Sequence, residues 1–340
     1  MSTTKRTNAN GLQRKLDQSR KENKHAAILA IESASHAAPK STRLGRALRI
    51  TSVALTLLSV GLVINVLQLL TLPVSLVSRP FAHHLNALAA QFAWTLTDYF
   101  LQGQDNVRLT FSGGEDITAG ESAFVICNHA FFGDFLLIHS LARRYQMMQY
   151  CRYFLKDSIK YIPVFGWGMY FANMPFLKRN WHHDNRRIGE SLKTLIDYKL
   201  PVWLLSHVEG SRITPQKRRI GQEYARKHDL PIMENVLLPR CKGFVATVQA
   251  LRGSHITHLY DITLAYFHRT RGFGTTPSLF ELLTGGLDQY EMHVHIDRFS
   301  LLDLPLEEAV LSRWLYTLYS RKDSVMEGIK AAFLERNSSG

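Results

Sequence analysis

From Ile50 to Ser78 the chain runs for twenty-nine residues without a charged side chain, rich in Leu, Val, Ile and Ala. The part before Pro73 is twenty-three residues long; a helix needs roughly 20 to cross a bilayer. The run is too long and starts too late for a secretory signal. A core helix of that length without one charge is the weaker alternative, so the segment predicts a membrane anchor.

The residues before it carry much of the chain's charge. Residues 1–49 hold eleven Lys/Arg against Asp17, Glu22 and Glu32, a balance of +8 out of the overall +13. Such a basic, Ser/Asn-rich tail suits an anionic surface, either nucleic acid or phospholipid headgroups, or is a solvated disordered arm without a specific partner. The adjoining anchor favours lipid, with the tail on the cytosolic side. No nucleic-acid motif appears, and the charge excess sits in the tail, so no nucleic-acid partner is expected. After the anchor, Pro80 to Phe100 is moderately apolar but carries His83, His84, Asn86, Gln91, Trp94 and Asp98. It is too polar for an independent span. It reads as a returning hairpin arm, an amphipathic interfacial helix, or the first helix of the soluble domain.

Beyond residue 105, short apolar runs alternate with helix-like segments. Strands are expected at Phe124–Cys127, Arg152–Leu155, Val202–Ser206, Val236–Pro239, Tyr260–Phe267 and Met292–Ile296. Helices are expected around 135–145, 185–199, 217–228, 242–251 and 307–335. This is the pattern of an α/β domain. Cys127, Cys151 and Cys241 are scattered, odd in number and without metal-type spacing, which implies reduced thiols.

The most chemical stretch is Asn128-His129-Ala130-Phe131-Phe132-Gly133-Asp134. It follows the apolar run Ala123–Cys127 and precedes a helical pattern, so His129 and Asp134 straddle a strand-to-helix turn. Along a continuous helix, five residues turn through about 500° and the two side chains would not share a face. Across a turn, an Asp in the first helical turn can reach back to the imidazole and fix its tautomer. The other ring nitrogen is then free to take a proton, the arrangement of hydroxyl-activating enzymes. Gly133 lets the backbone pass tightly. Taken alone, the pair is as readily an Asp134 N-cap beside a packed loop histidine.

Three further segments bear on this choice. Phe171–Arg179 ends in adjacent cations, Lys178 and Arg179, able to meet phosphate or simply to lie on the surface. Val208-Glu209-Gly210-Ser211-Arg212 places a carboxylate, a glycine turn, a hydroxyl and a guanidinium after a buried strand. Ligands bind at such strand ends in open α/β sheets, and Arg is a bidentate phosphate clamp; a plain charged turn is the alternative. Leu237–Phe244, with Pro239 and basic residues before a helix, is weak on its own. His182, His183 and Asp184 look metal-like but read as a helix start, and no metal is expected.

Together, Asn128-His129-x-x-x-x-Asp134, Phe176-Leu177-Lys178-Arg179, Glu209-Gly210-Ser211-Arg212 and Leu238-Pro239 resemble, in order and spacing, the four blocks of the PlsC-like glycerolipid acyltransferases. This group includes the lysophosphatidic acid acyltransferases. The resemblance covers roughly residues 105–270 and looks closest to a little-characterised bacterial branch. It implies an α/β domain with a mixed sheet flanked by helices and a hydrophobic N-terminal anchor. It also implies acyl transfer from acyl-CoA or acyl carrier protein to the sn-2 hydroxyl of 1-acylglycerol 3-phosphate, giving phosphatidate, with no cofactor. It assigns His129 as base and Asp134 as its partner. Glu209, Gly210, Ser211 and Arg212 would bind the glycerol phosphate, with Lys178 and Arg179 helping. One departure stands out: the third block commonly has Phe-Pro before Glu and Thr after Gly, whereas this chain has His207-Val208 and Ser211.

The expected organisation is a basic tail (1–49), a membrane anchor as one span or a hairpin (50–100), the acyltransferase domain (105–300) and C-terminal helices (301–340). Both donors are soluble on the cytosolic side, so a hairpin or re-entrant anchor in the inner membrane would keep His129 with its donor and its lysophospholipid acceptor. Two alternatives remain: remodelling of another lysophospholipid, or a non-catalytic lipid-binding membrane protein of the same fold.

Overall fold

The computed structural model describes residues 43–101, 107–178 and 181–338. Most of the basic tail therefore lies outside the described residues. The apolar run forms α1 (Arg43–Val77), a helix that continues through Pro73. After Ser78 the chain reverses into α2 (Arg79–Leu101). The Asn86 amide donates to Thr71 Oγ1 at 2.9 Å, which sets the two helices side by side as a hairpin. Among the described residues, α1 is the one helix long and apolar enough to cross a membrane.

The returning arm is also a helix of the globular domain. Its buried face carries Ala82, His83, Asn86, Ala87, Ala90, Trp94 and Asp98. The Trp94 ring lies 4.7 Å from that of His139, and Asp98 is hydrogen-bonded to Arg143. Two of the readings left open for residues 80–100 are thus realised together.

The domain is built on a seven-stranded mixed sheet. Its strands are β1 (Arg108–Gly113), β2 (Ala123–Cys127), β3 (Cys151–Tyr153), β6 (Trp203–Ser206), β7 (His258–His268), β8 (Gly272–Phe273) and β9 (Tyr290–Ser300), in the order β1-β9-β7-β2-β6-β3 with β8 on β7. A separate two-stranded ribbon joins β4 (Leu155–Lys156) to β5 (Phe176–Leu177). Strand β2 is wholly buried, as an uninterrupted apolar run in the middle of a parallel group must be. It pairs in parallel with β6 (Ile126 opposite Ser206) and with β7 (Cys127 opposite Ile262). β3 adds in parallel to β6, while β9 runs antiparallel to β7. The carboxyl ends of β7, β2, β6 and β3 therefore share one edge, the place where α/β sheets bind ligands.

Helices cover both faces. On one face α1, α2 and α3 (Asp134–Arg144) bury Val53, Trp94, Leu137 and Ile138 against Val125 and Tyr260. On the other, α5 (Trp181–Asp197), α7 (Cys241–Leu251) and α9 (Glu308–Ser338) bury Leu192, Phe244, Val248, Leu315 and Tyr319 against Phe124 and Ile126. Three shorter helices, α4 (Phe165–Phe171), α6 (Pro215–Lys227) and α8 (Leu279–Thr284), lie between these elements. Thr214 caps α6 by accepting the Lys217 N–H, with Pro215 opening the helix.

One expected strand does not form. Val236–Pro239 is irregular. Pro239 has no N–H to give a ladder, and the next N–H, of Arg240, goes to the Val208 carbonyl at 2.7 Å. The segment is thereby tied to a loop rather than to the sheet.

Candidate active site

Strand β2 ends in a turn that brings His129 and Asp134 together. His129 Nδ1 lies 2.8 Å from Asp134 Oδ2. The residue capping α3 is Gly133, with no side-chain cap bond, so the plain N-cap reading of Asp134 fails. Its carboxylate turns back instead. It accepts the Ala130 N–H at 2.9 Å, the Phe131 N–H at 3.1 Å and the Tyr266 hydroxyl at 2.5 Å. A side chain on Gly133 would sit 2.5 Å from the Phe131 ring, so the turn requires glycine there. Asp134 is buried, and four donors converge on it, so the carboxylate is fixed in place and orients the imidazole it binds. The His129 side chain keeps 23% of its surface exposed, leaving Nε2 as the ring's open nitrogen.

The strand end is pinned from below. Asn128 exchanges both amide hydrogen bonds with the Leu264 backbone of β7, at 2.9 and 2.8 Å. From α9, the Tyr319 hydroxyl donates to the Cys127 carbonyl at 3.2 Å. Lys322, fully buried, pairs with Asp261 at 2.7 Å and donates to the Ile262 carbonyl.

Parallel pairing of β2 with β6 delivers the third block to the same spot. The His129 N–H donates to Glu209 Oε2 at 3.3 Å, and the Ile213 N–H donates to the His129 carbonyl at 2.8 Å. The loop after β6 thus grips the histidine's backbone on both sides. Glu209 is turned inward and buried, and burial pushes its carboxyl well above the usual carboxylate range. Its Oε1 is buried without a hydrogen-bond partner. The Leu237 backbone lies beside this carboxyl, which brings the fourth block next to the other two. Gly210 takes φ +72, a left-handed turn in which the Arg240 side chain crosses directly over it. Ser211 is half-buried and Arg212 exposed at the rim.

His207, flagged in the sequence only as a departure, proves central. Its ring stacks on that of His129 with centroids 4.0 Å apart and planes 23° from parallel. Its Nδ1 lies 3.1 Å from Cys127 Sγ and 3.3 Å from the Asn128 carbonyl. Burial, with His129 against it, holds its imidazole down to about 4, so the ring is neutral at physiological pH. His129, Asp134 and His207 together place three potential ligand atoms within 4.8 Å of one another. The Asp134 oxygens in this group already accept from Ala130, Phe131 and Tyr266.

The second block is carried by β5. Leu155 N–H donates to the Pro175 carbonyl at 2.9 Å, and Phe154 N–H to Leu205 at 3.0 Å, so the ribbon extends from the carboxyl end of β3 on the same edge of the sheet. Lys178 follows, exposed. Arg179 lies outside the described residues, as do the side chains of His182, His183 and Asp184, which fall in the first turn of α5. Sequence reasoning missed Tyr266, Tyr319 and Lys322. None carries a local motif, because each acts from an element distant in sequence.

An imidazole held by a buried carboxylate, at a strand end bordered by a guanidinium-bearing loop, has the geometry that general-base activation of a hydroxyl requires. A family model described as "Acyltransferase" matches residues 108–266, and one described as "Acyltransferase C-terminus" matches residues 281–332. The chain is 35% identical to the human 1-acyl-sn-glycerol-3-phosphate acyltransferase gamma over 270 residues, 78% of this chain and 70% of that protein. It is 33% identical to the 1-acyl-sn-glycerol-3-phosphate acyltransferase 2 of Brassica napus over 271 residues, 78% of this chain and 68% of that one. It is also similar to the crystal structure of the 1-acyl-sn-glycerophosphate acyltransferase PlsC from Thermotoga maritima. There the TM-score is 0.45 and the identity 15%, covering 80% of this chain and 96% of that one. The chain belongs to the PlsC-like glycerolipid acyltransferase family.

Proposed function

We propose that this protein transfers a fatty acyl group from acyl-CoA or acyl carrier protein to the sn-2 hydroxyl of 1-acylglycerol 3-phosphate, giving phosphatidate. The observation that carries the proposal is the His129–Asp134 pair, gripped by the Glu209–Ile213 loop, in a chain whose relatives bear that activity in their names. His129 Nε2 takes the acceptor's hydroxyl proton as the oxygen attacks the thioester carbonyl. The tetrahedral intermediate collapses with loss of the thiolate, which receives the proton back from His129. Asp134, bonded to Nδ1, fixes the tautomer and stabilises the imidazolium. A positioned base of this kind contributes roughly 10²–10⁴-fold. The thioester is already activated, so no covalent enzyme intermediate is needed.

A phosphate monoester carries nearly two negative charges and calls for several cations. Arg212, Lys178 and Arg179 fill that role, with Arg240, lying across Gly210, as a further cation at the rim. Gly210 and Ser211 shape the turn beneath the phosphate. Glu209 supports acceptor binding by tying the third block to the first through the His129 N–H.

The anchor is a hairpin in one leaflet of the inner membrane, with the active site on the cytosolic face. Val53 and Leu57 pack into the domain core, Gly61 abuts Val164, and Gln68 bonds Gly168. A bilayer crossing by α1 would draw the domain in with it.

The test is turnover by the full chain in liposomes, given acyl-CoA or acyl carrier protein thioester and a panel of lysophospholipids. Phosphatidate formation by wild type and not by His129→Ala is expected. Equal turnover by both proteins would remove His129 from the chemistry. Turnover restricted to an acceptor without the phosphate monoester would replace this reading with remodelling of another lysophospholipid.

A further inference from the structure

The segment leading into and through α4 is the most aromatic exposed surface of the domain. Tyr161 is 70% exposed, Trp167 45% and Tyr170 60%, and Ile162 and Phe165 beside them are also open. Soluble surfaces rarely gather so many large apolar side chains without a partner.

This patch is fastened to the hairpin. A side chain on Gly61 of α1 would meet Val164 at 2.4 Å, so glycine there lets Val164 seat against the helix. Val164 itself has φ +64, a strained setting for a β-branched residue that persists where packing over-determines it. Asn65 and Gln68, both buried in an otherwise lipid-like helix, make a side-chain pair at 3.3 Å, and Gln68 donates on to the Gly168 carbonyl of α4 at 3.2 Å. Amides are costly in an apolar helix unless they bond something; Gln68 bonds α4, and Asn65 bonds Gln68.

The fastening fixes depth. α4 lies level with residues 61–68 of α1, where Leu62, Val63, Val66 and Leu67 are exposed. An apolar medium that reaches Val66 lies at the height of Trp167. The residue types differ in a consistent way. α1 carries no aromatic residue, whereas the α4 segment is Tyr- and Trp-rich and carries Lys156 and Lys160 beside it, Lys160 paired with Asp157 at 2.8 Å and its Nζ 5.1 Å from the Tyr161 ring. Amphipathic rings flanked by cations suit the headgroup layer, particularly of anionic lipid.

We propose that Tyr161–Tyr170 is a membrane-seating foot of the catalytic domain, lodged in the headgroup region of the leaflet that receives the hairpin. The inference rests on the hairpin reading above and extends it to the domain itself. Its consequence is positional. Tyr170 packs on Phe176, with ring centroids 6.5 Å apart, and Phe176 leads directly into Lys178. The foot therefore holds the second block at the height of a membrane-resident acceptor's phosphate.

The test uses the full chain in phosphatidylcholine/phosphatidylglycerol liposomes, in a Cys241→Ser background. An environment-sensitive fluorophore is placed at Tyr161→Cys, Phe165→Cys or Tyr170→Cys, with Val66→Cys as the hairpin probe and Lys227→Cys as the aqueous one. The foot probes and Val66, which lie at one height, are expected to shift to the blue and to be quenched more by headgroup-proximal than by deep spin-labelled lipid, with Lys227 quenched by neither. Quenching at Val66 but not at the foot overturns the foot and leaves the hairpin standing. No quenching at Val66 either overturns both. In a second arm, Tyr161→Glu/Phe165→Glu is expected to lower turnover of bilayer-embedded acceptor by about tenfold, the equivalent of 1.4 kcal/mol, and to spare a short-chain acceptor dispersed in water. Equal loss on both acceptors with an unchanged melting temperature places these residues in catalysis and overturns the seating role.

Discussion

The imidazole of His207 lies face to face with that of His129, 4.0 Å away and 23° from parallel. The bond from His129 Nδ1 to Asp134 leaves the ring free to rock about that axis, and the stacked His207 ring removes that freedom. The useful property of His207 is then its flat face. His207→Phe is expected to hold kcat within about threefold, whereas His207→Ala lowers kcat by roughly tenfold to a hundredfold with little change in acceptor KM. Steady-state kinetics of the two variants decides it: a Phe variant as slow as the Ala variant, both folded, shows that a ring nitrogen is needed.

The same residue makes the fold acid-sensitive. Its folded-state value of about 4 lies below the ordinary 6.5, so between these values the unfolded chain binds a proton that the folded chain does not. Stability therefore rises with pH across that window and falls as pH drops from 6.5 towards 4. His207→Phe is expected to remove on the order of 2 kcal/mol of this acid-side loss. Urea unfolding at pH 7 and pH 5 measures it; an identical pH difference in both proteins would assign the sensitivity elsewhere.

Tyr266 reaches Asp134 from β7 at 2.5 Å. Tyr266→Phe deletes that donor and leaves a buried carboxylate oxygen one partner short. A stability loss of about 1–3 kcal/mol is expected, together with a several-fold fall in kcat as Asp134 loosens. Thermal melts and kcat on the same preparation check both halves.

Glu209 is buried, and that burial raises its carboxyl well above the usual carboxylate range. Glu209→Gln keeps an acceptor for the His129 N–H and is expected to retain the fold, with less loss of stability as pH rises. The sign follows because a carboxyl raised in the folded state resists ionisation that the unfolded chain accepts above its ordinary value. Glu209→Ala leaves the His129 N–H unpaired and costs about 1–3 kcal/mol. A Gln variant that unfolds as readily as the Ala variant would contradict this account.

Arg212 and Arg240 flank the Gly210 turn on the open side. Arg212→Gln and Arg240→Gln are each expected to raise KM for a phosphate-monoester acceptor by about tenfold to a hundredfold. Neither should move KM for an acceptor lacking that phosphate. Paired kinetics on the two acceptors separates charge recognition from general damage.

On the far side of the sheet, Lys322→Met strands Asp261 in the interior. The single variant is expected to lose about 3–5 kcal/mol, and Lys322→Met/Asp261→Asn to recover much of it. A double variant no more stable than the single would show that Lys322 matters through its bond to the Ile262 carbonyl instead.

Much of this molecule is legible in the linear chain. The uncharged run from Ile50 to Ser78 demands an apolar helix, and the five apolar residues Ala123–Cys127 demand a buried strand. The turn from His129 to Asp134 is local, so seven consecutive residues suffice to bring base and orienter together. Arg108–Gly113 was not legible as a strand, because its half-buried mix of Arg, Thr and Ser has neither period. Val236–Pro239 looked like a strand, yet its backbone is claimed by the Val208 and Glu209 loop.

By itself, then, the sequence determined the elements whose causes lie within a few residues: the apolar helix, the central strand and the His129–Asp134 turn. Tertiary structure alone decided that β6 lies beside β2 and β7 on its other side, and so that His207, Glu209 and Tyr266 converge on that turn. The reason is physical. A turn is fixed by the dihedral angles of adjacent residues, whereas the choice of neighbouring strand depends on the packing of every helix against both faces of the sheet, which no short segment carries.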